Sequence, residues 1–209
     1  MGRLYDELFT RYPILENCRE DIEKALQLLV DCYKADGTVL VCGNGGSAAD
    51  SEHIVGELMK GFMLKRELTD KEKSMFGTVD GGECIAEKLQ RPLRAISLVS
   101  QSGLISAFAN DVDAENVFAQ QVFAYAQKPQ DVLIALSTSG NSNNVVNAAK
   151  TAKATGIVSI GITGESGGKL NEICTVCLRL PANEPYSVQE LTLPLYHALC
   201  AEIEEVFFG

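Results

Sequence analysis

Two pairs of side chains with the chemistry of an acid, a base or a metal ligand stand at helical spacing. His53 and Glu57 are four residues apart, which puts them on one face of a helix. Gln189 precedes His197 by eight residues, a little over two turns. If the two helices meet, these nitrogen and oxygen donors would suit zinc or a similar divalent ion. Taken singly, each histidine is better explained as an ordinary hydrogen-bonded helix residue, so spacing alone leaves metal binding the minority interpretation.

Two short loops have the composition of anion-binding turns. The first is GNGGS at 43–47, and the second is STSGNS at 137–142; each follows an apolar run and precedes a helical pattern. Free backbone N–H groups at a helix start favour an anion there. Neither loop has the lysine of a nucleotide P-loop, and the first lacks a complete GxGxxG. Neutral donors suit a monophosphate, and two ordinary tight turns with serine caps are the alternative.

The elements that must position these residues alternate along the chain. Apolar runs predict strands within 37–43, 91–100, 130–137, 157–164 and 174–181, and helical patterns predict helices at 47–62, 102–112, 116–127, 141–156, 166–174 and 187–208. The helix at 47–62 is expected to open with Ser47 as its cap. Such alternation predicts an α/β fold, a doubly wound parallel sheet flanked by helices, with ligands at the carboxyl ends of its strands.

The domain organisation is expected to be simple. The chain has 209 residues and no linker, so we predict a single domain over 1–209, with two N-terminal helices within 1–36. Residues 63–90 are charged and mixed, and they interrupt the alternation. We interpret this segment as an exposed helical excursion, in preference to a ligand lid.

Composition excludes several classes of function. A net charge of −10 argues against nucleic acid as a partner. The sequence has no apolar run of about eighteen residues and no apolar signal core, so we expect a cytoplasmic protein without a membrane partner. The seven cysteines suit a reducing compartment, and the lone CxxC of Cys174 and Cys177 is expected to be buried thiols, not a zinc or redox site.

Several longer motifs resemble one family. VCGNGGSAADSEHIVGEL, FANDVDAENVFAQQV, LSTSGNSNNVVNAAKTAKATG, ITGESGGKL and VQELTLPLYHALC are similar to the sugar isomerase (SIS) domain, and specifically to phosphoheptose isomerases. The resemblance implies a flavodoxin-like three-layer sandwich. It also implies a zinc ion held by His53, Glu57, Gln189 and His197, with Glu57 and His197 as the catalytic acid/base pair. The implied substrate-binding residues are Asn44, Gly45, Gly46, Ser47, Glu57, Asn110, Asp111, Ser137, Thr138, Ser139, Ser142 and Gln189.

The sequence departs from the family pattern in one place close to the implied site. Phosphoheptose isomerases carry ELxGRF after the helix, whereas this chain reads ELMKGF, so that Gly61 stands where the arginine would. Lys60, Lys65 and Arg66 are candidates to supply the missing charge. The family also joins this helix to the next strand by a short link, without the extra residues of 63–90. The identity of the substrate is therefore less well defined than the chemistry.

The resemblance implies an aldose–ketose isomerase acting on sedoheptulose 7-phosphate, giving D-glycero-D-manno-heptose 7-phosphate, and a homotetramer. Isomerisation needs a base, an acid and a group that stabilises the enediolate. A carboxylate bound to metal is a poorer base, so either the ligands exchange during turnover or the metal is structural. The alternative is a non-catalytic SIS protein of the kind that associates with a replication initiator. Such a protein is expected to lack the Glu or the His, and this chain keeps both Glu57 and His197.

Overall fold

A single parallel sheet forms the centre of the protein. The structure is a computed structural model, which describes residues 3–209. Its five strands are all parallel and have the order β2-β1-β3-β4-β5. They are β1 (Val39–Cys42), β2 (Ala95–Ser97), β3 (Val132–Leu136), β4 (Val158–Thr163) and β5 (Val176–Arg179). Each strand lies inside one of the predicted apolar runs, so the predicted sheet is confirmed.

Ten α-helices surround this sheet in the part of the chain that the structure describes. They are α1 (Arg3–Arg11), α2 (Arg19–Lys34), α3 (Gly46–Met59), α4 (Asp70–Ser74), α5 (Gly82–Ala86), α6 (Ser102–Phe108), α7 (Val117–Tyr125), α8 (Asn143–Ala154), α9 (Leu170–Ile173) and α10 (Pro185–Phe208). Short 3₁₀ turns cover Pro13–Cys18, Met75–Thr78 and Ala114–Asn116, and a π turn covers Ala109–Asp113. The helix predicted at 166–174 is only one turn long, because Gly167 and Gly168 take φ of +74° and +53°.

The two faces of the sheet carry different helices. Val39 and Val41 of β1 pack into one apolar cluster with residues of α1, α2, α3 and α10. Leu40 and Cys42 alternate with them and pack into a second cluster with α7, α8 and α9. A strand buried on both faces has to be apolar at every position, as β1 is. This is the predicted three-layer α/β arrangement.

The strand order sets where the site can form. From β1 the chain crosses to β2 on one side and returns to β3 on the other side of β1. Connections that leave neighbouring strands in opposite directions open a crevice at their carboxyl ends. The loops 43–47 and 137–142 follow β1 and β3, so the topology brings both candidate anion-binding loops to this crevice.

Residues 63–90 form a small helical excursion between α3 and β2. They contain α4 and α5, and a capping box between Thr69 and Glu72 closes the start of α4. An isolated antiparallel bridge between Glu67 and Gln90 joins the two ends of the segment. Most residues of the excursion are exposed.

A buried ion pair anchors the beginning of this excursion. Glu204 of α10 accepts the backbone N–H groups of Phe62, Met63 and Leu64 at 2.6–2.9 Å, and the Nε of Arg66 at 2.6 Å. Both charged side chains are fully buried. Arg66 also donates to the carbonyl oxygens of Leu58 and Glu57, at 2.6 and 3.2 Å.

Most of the cysteines are buried. All seven cysteines are free, Cys177 is buried in β5, and Cys174 is half-buried just before it. Burial raises the pKa of Cys174 to about 11, which makes it an unreactive thiol. Within residues 3–209, no helix is both long and apolar enough to cross a bilayer.

Candidate functional site

The loop after β1 and the start of α8 are joined at the crevice. The side chains of Asn44 and Asn144 exchange two hydrogen bonds, at 2.8 and 3.0 Å. Asn44 is exposed, and its loop therefore borders the crevice without being covered. A pair of amides thus joins the first candidate loop to the start of the helix that follows the second one.

The first loop differs from the prediction in how it starts its helix. The expected cap by Ser47 is wrong: α3 begins at Gly46, and the N-cap is Gly45 with φ +56° and no capping side chain. Ser47 is buried inside the first turn. At Gly46 the amide of Gln189 packs where a Cβ would stand: such a Cβ would lie 2.6 Å from the Nε2 of Gln189. The Gln189 amide thus packs directly on the backbone at the start of α3.

The second loop is a tight turn whose hydroxyls face one another. The Oγ atoms of Ser137 and Ser142 are 3.0 Å apart, and the backbone N–H of Ser142 points to Ser137 Oγ at 3.4 Å. Ser142 is the N-cap of α8 but makes no capping bond with its side chain. Ser139 is exposed, and Thr138 is half-buried. The loop therefore presents hydroxyls and helix-start N–H groups to the same space.

His53, Glu57 and His197 meet where α3 and α10 pack together. The Nε2 of His53 lies 3.2 Å from Glu57 Oε1 and 3.4 Å from the Nε2 of His197. The Glu57 side chain is only 12% exposed, whereas that of His53 is 43% exposed. Two helices that are far apart in sequence thus bring an acid and two imidazoles together. The spacing placed His53 and Glu57 on one face, and the packing of α3 against α10 adds His197.

Two neighbours and burial modify the chemistry of this cluster. Lys60 Nζ lies 2.5 Å from the second oxygen of Glu57, and the ring of Phe62 lies 5.4 Å from that of His197. Burial and the nearby His53 lower the pKa of His197, although Glu57 opposes them. His197 is therefore neutral at pH 7, and it can accept a proton or a Lewis acid.

The cluster fits a metal ion in part. Neighbouring ligands of a tetrahedral zinc ion stand about 3.3 Å apart when the bonds are about 2.0–2.1 Å long, and the distances from His53 Nε2 match this spacing. Among residues 3–209, however, no three His, Cys, Asp or Glu side chains are already grouped as the ligands of one ion, so His53, Glu57 and His197 would have to move closer to a common point. Lys60 holds Glu57 by its other oxygen, and Gln189 lies against Gly46 without a hydrogen bond to either histidine in the described chain.

Two predicted substrate-binding residues lie in the turn that follows α6. Asn110 and Asp111 belong to the π turn that follows α6; both are exposed, and the Nδ2 of Asn110 donates to Asp111 Oδ1 at 2.8 Å. In the described part of the chain, no hydrogen bond joins them to the loops or to the His–Glu cluster. Their role stays a prediction.

The three candidate cations have different partners. Arg66 forms a buried ion pair with Glu204 and donates to backbone carbonyl oxygens, and Lys65 forms an exposed ion pair with Glu67. Of the three candidates, Lys60 is the one that contacts Glu57. The sequence predicted a replacement charge but not which residue supplies it, because each of the three stands within a few residues of Gly61.

The chain is similar to known proteins over most of its length. The SIS domain profile matches residues 10–92 and 86–164. The phosphoheptose isomerase of Aliarcobacter butzleri is 36% identical over 191 residues, which is 91% of this chain and 88% of that protein. Phosphoheptose isomerase 2 of Campylobacter jejuni is 34% identical over 210 residues, or 100% of this chain and 92% of the relative.

Solved structures agree with these matches. The phosphoheptose isomerase of Francisella tularensis superposes with a TM-score of 0.73 at 26% identity, covering 98% of this chain and 100% of the other. That of Neisseria gonorrhoeae superposes with a TM-score of 0.69 at 29% identity, covering 96% and 99%. By sequence and by fold, the chain belongs to the SIS-domain family and, within it, to the phosphoheptose isomerases.

Proposed function

We propose that this protein is an isomerase that interconverts sedoheptulose 7-phosphate and D-glycero-D-manno-heptose 7-phosphate. The observation that carries the proposal is the meeting of Glu57, His53 and His197, with separations of 3.2 and 3.4 Å, beside a crevice lined by neutral anion-binding loops. The names of the relatives support a seven-carbon substrate. Lys60 is the cation we assign to the place of the family's arginine.

The reaction moves a proton between neighbouring carbons of the sugar. Glu57 removes the proton from the carbon next to the carbonyl, and the resulting enediolate takes a proton back on the other carbon. The neutral His197 shuttles the proton between the sugar oxygens. Lys60 contacts Oε2 of Glu57 and so places a cation beside the base.

A divalent cation is part of the proposal. His53, Glu57 and His197 would hold it, and Gln189 would join them only if its amide moved away from Gly46. A bound zinc ion would supply Lewis-acid polarisation of the sugar oxygens. The spacing of the donors supports this assignment, and their partial fit leaves the choice between a catalytic and a structural ion to experiment.

The phosphate is assigned to the two loops at the helix starts. Backbone N–H groups of Gly45 and Gly46 and the hydroxyls of Ser137, Ser139 and Ser142 supply donors without formal charge. The chain has a net charge of −10, so such local donors are needed to hold an anion. Their place at the carboxyl ends of neighbouring strands β1 and β3 supports this assignment.

Removing hydroxyls from the second loop should weaken phosphate binding. We expect Ser137→Ala combined with Ser139→Ala to raise KM strongly, because each charge-assisted hydrogen bond contributes about 1.5–3 kcal/mol. Isothermal titration with sedoheptulose 7-phosphate measures the effect, and Ser106→Ala on α6 serves as the control. Unchanged affinity in the double variant would refute the phosphate assignment.

We also propose that the chain forms a homo-oligomer, most simply a homotetramer. Apolar side chains are exposed close to the site, among them Met59, Met63 and Leu193 at 42–54%, and such surface is usually covered. Light scattering at micromolar concentration should give a mass several times that of one chain. A monomeric mass would contradict the proposal. The free thiols support a cytoplasmic location.

Exchange of substrate hydrogen with deuterated water tests the activity directly. The purified protein, supplied with zinc, should exchange a hydrogen at C1 of sedoheptulose 7-phosphate and the hydrogen at C2 of the aldose product. A panel of pentose and hexose phosphates tests the specificity. If no sugar phosphate on the panel exchanges while binding is still measured, the protein is a sugar-phosphate-binding regulator, and the isomerase assignment is wrong.

A further inference from the structure

A tyrosine and an aspartate lie behind His53, on the side of the ring that faces away from Glu57 and His197. Tyr196 Oη is 2.8 Å from His53 Nδ1 and 3.5 Å from Asp50 Oδ1. Tyr196 is 2% exposed and adjoins His197 on α10, and Asp50 lies one turn before His53 on α3. Neither residue takes part in the proton transfers proposed for Glu57 and His197.

One carboxylate oxygen of Asp50 has no donor in this position. Its Oδ2 is buried and has no hydrogen-bond partner among residues 3–209. Burial raises the pKa of Asp50, although the Tyr196 hydroxyl and the charge of His53 oppose the shift. A buried carboxylate oxygen without a donor is costly, so Asp50 is a strong acceptor for the one nearby hydroxyl proton.

With Asp50 as a carboxylate, only one arrangement of protons gives each of the three groups a partner. If the Tyr196 hydroxyl donates to Asp50, its oxygen is left to accept the Nδ1–H of His53. If the hydroxyl donates to His53 instead, Asp50 has no donor from Tyr196. The first arrangement leaves the lone pair of His53 on Nε2, which is the nitrogen 3.4 Å from His197 Nε2. The contact of 3.5 Å to Asp50 is long for such a bond, whereas the 2.8 Å contact to His53 is short.

We propose that Asp50 and Tyr196 are positioning residues that hold the proton of His53 on Nδ1 and so turn the free electron pair of Nε2 toward Glu57 and His197. The inference rests on the function proposed for this cluster. A histidine that binds a metal through one nitrogen commonly donates its other N–H to a neighbouring oxygen, which fixes the tautomer and the orientation of the ring. The sequence showed no sign of this arrangement, because Asp50 and Tyr196 meet only when α3 and α10 pack.

The position of the proton can be measured without metal or substrate. The chain has only two histidines, so ¹⁵N-histidine labelling gives a simple spectrum that reports the protonated nitrogen of each ring. In the metal-free protein, at a pH where His53 is neutral, we expect its proton on Nδ1. Tyr196→Phe removes the acceptor, and the proton should shift toward Nε2, where Glu57 accepts it.

Tyr33→Phe is the matched control. It removes a hydroxyl that donates to the carbonyl oxygen of Arg94 at 3.3 Å, away from the cluster, and should leave the His53 signals unchanged. Thermal melting shows that each variant is folded. Identical His53 signals in Tyr196→Phe and wild type would overturn the proposal.

Zinc affinity gives a second and independent readout. In competition with a chelator, Tyr196→Phe should bind Zn²⁺ about 10–100-fold more weakly than wild type, and Tyr33→Phe should bind it equally well. Asp50→Ala should weaken binding in the same direction. If the His53 signals move but the Zn²⁺ affinity of Tyr196→Phe stays within about twofold of wild type, the positioning role toward a cation is wrong. If wild type binds no Zn²⁺, the metal assignment itself fails, and the spectrum still decides the tautomer.

Discussion

Glu57→Gln is expected to lower kcat for sedoheptulose 7-phosphate by roughly 10²–10⁴-fold, the usual range for a lost general base. Glutamine keeps the size of the side chain and one oxygen near His53, but it cannot take a proton from carbon. Substrate binding should persist, since the phosphate donors come from other residues. Stopped assays of aldose formation and isothermal titration measure the two effects separately.

The control for this variant lies on the same helix. Glu52→Gln changes a carboxylate of α3 that accepts from Ser100 Oγ at 2.9 Å, and turnover should be close to that of wild type. Elemental analysis of both variants distinguishes loss of the base from loss of a bound metal. His197→Asn should likewise lower turnover with little loss of affinity. Wild-type turnover in metal-replete Glu57→Gln would remove Glu57 from the role of base.

Glu204→Gln is expected to lower the free energy of unfolding by about 3–5 kcal/mol, the usual cost of breaking a buried ion pair from one side. The change leaves the Arg66 guanidinium buried without its counter-charge. It also turns an amide NH₂ toward backbone N–H groups that now donate to the carboxylate. Urea unfolding followed by circular dichroism measures the change.

An exposed ion pair in the same segment provides the comparison. Lys65 and Glu67 are 2.5 Å apart, but their side chains are 80% and 57% exposed. Glu67→Gln should therefore cost no more than about 1 kcal/mol. If Glu204→Gln is as mild as Glu67→Gln, the buried pair does not anchor the 63–90 excursion.

The same carboxylate predicts how stability responds to acid. Burial alone would raise the pKa of Glu204, but the backbone N–H groups of residues 62–64 and Arg66 outweigh it and lower the pKa. A group whose pKa is lowered in the folded state stabilises the protein at pH values above its unfolded-state pKa. This stabilisation is lost as the pH falls through the folded-state pKa. Unfolding should thus become easier below about pH 4.3, the ordinary range of glutamate, and Glu204→Gln should lose this part of the acid dependence.

The sequence by itself determined the layout of the fold and the loops that border the site. Strands buried on both faces are apolar at successive positions, so VLVC of β1 and VLIAL of β3 could be predicted as buried strands from the sequence. Helical periodicity placed His53 and Glu57 on one face of α3 in the same way. These are local properties, because the backbone period alone sets which residues share a face.

Only the tertiary structure decided which partners those residues have. The packing of α3 against α10 places Tyr196 and Asp50 behind His53, and it puts Gln189 on Gly46 instead of beside the histidines. α3 begins at Gly46, one residue before the predicted start, because a positive φ at Gly45 provides the turn. Likewise, Arg66 reaches Glu204, 138 residues away, and leaves Lys60 as the cation at Glu57. Contacts between residues so far apart depend on how whole elements pack, and the spacing of residues along one element carries no record of that packing.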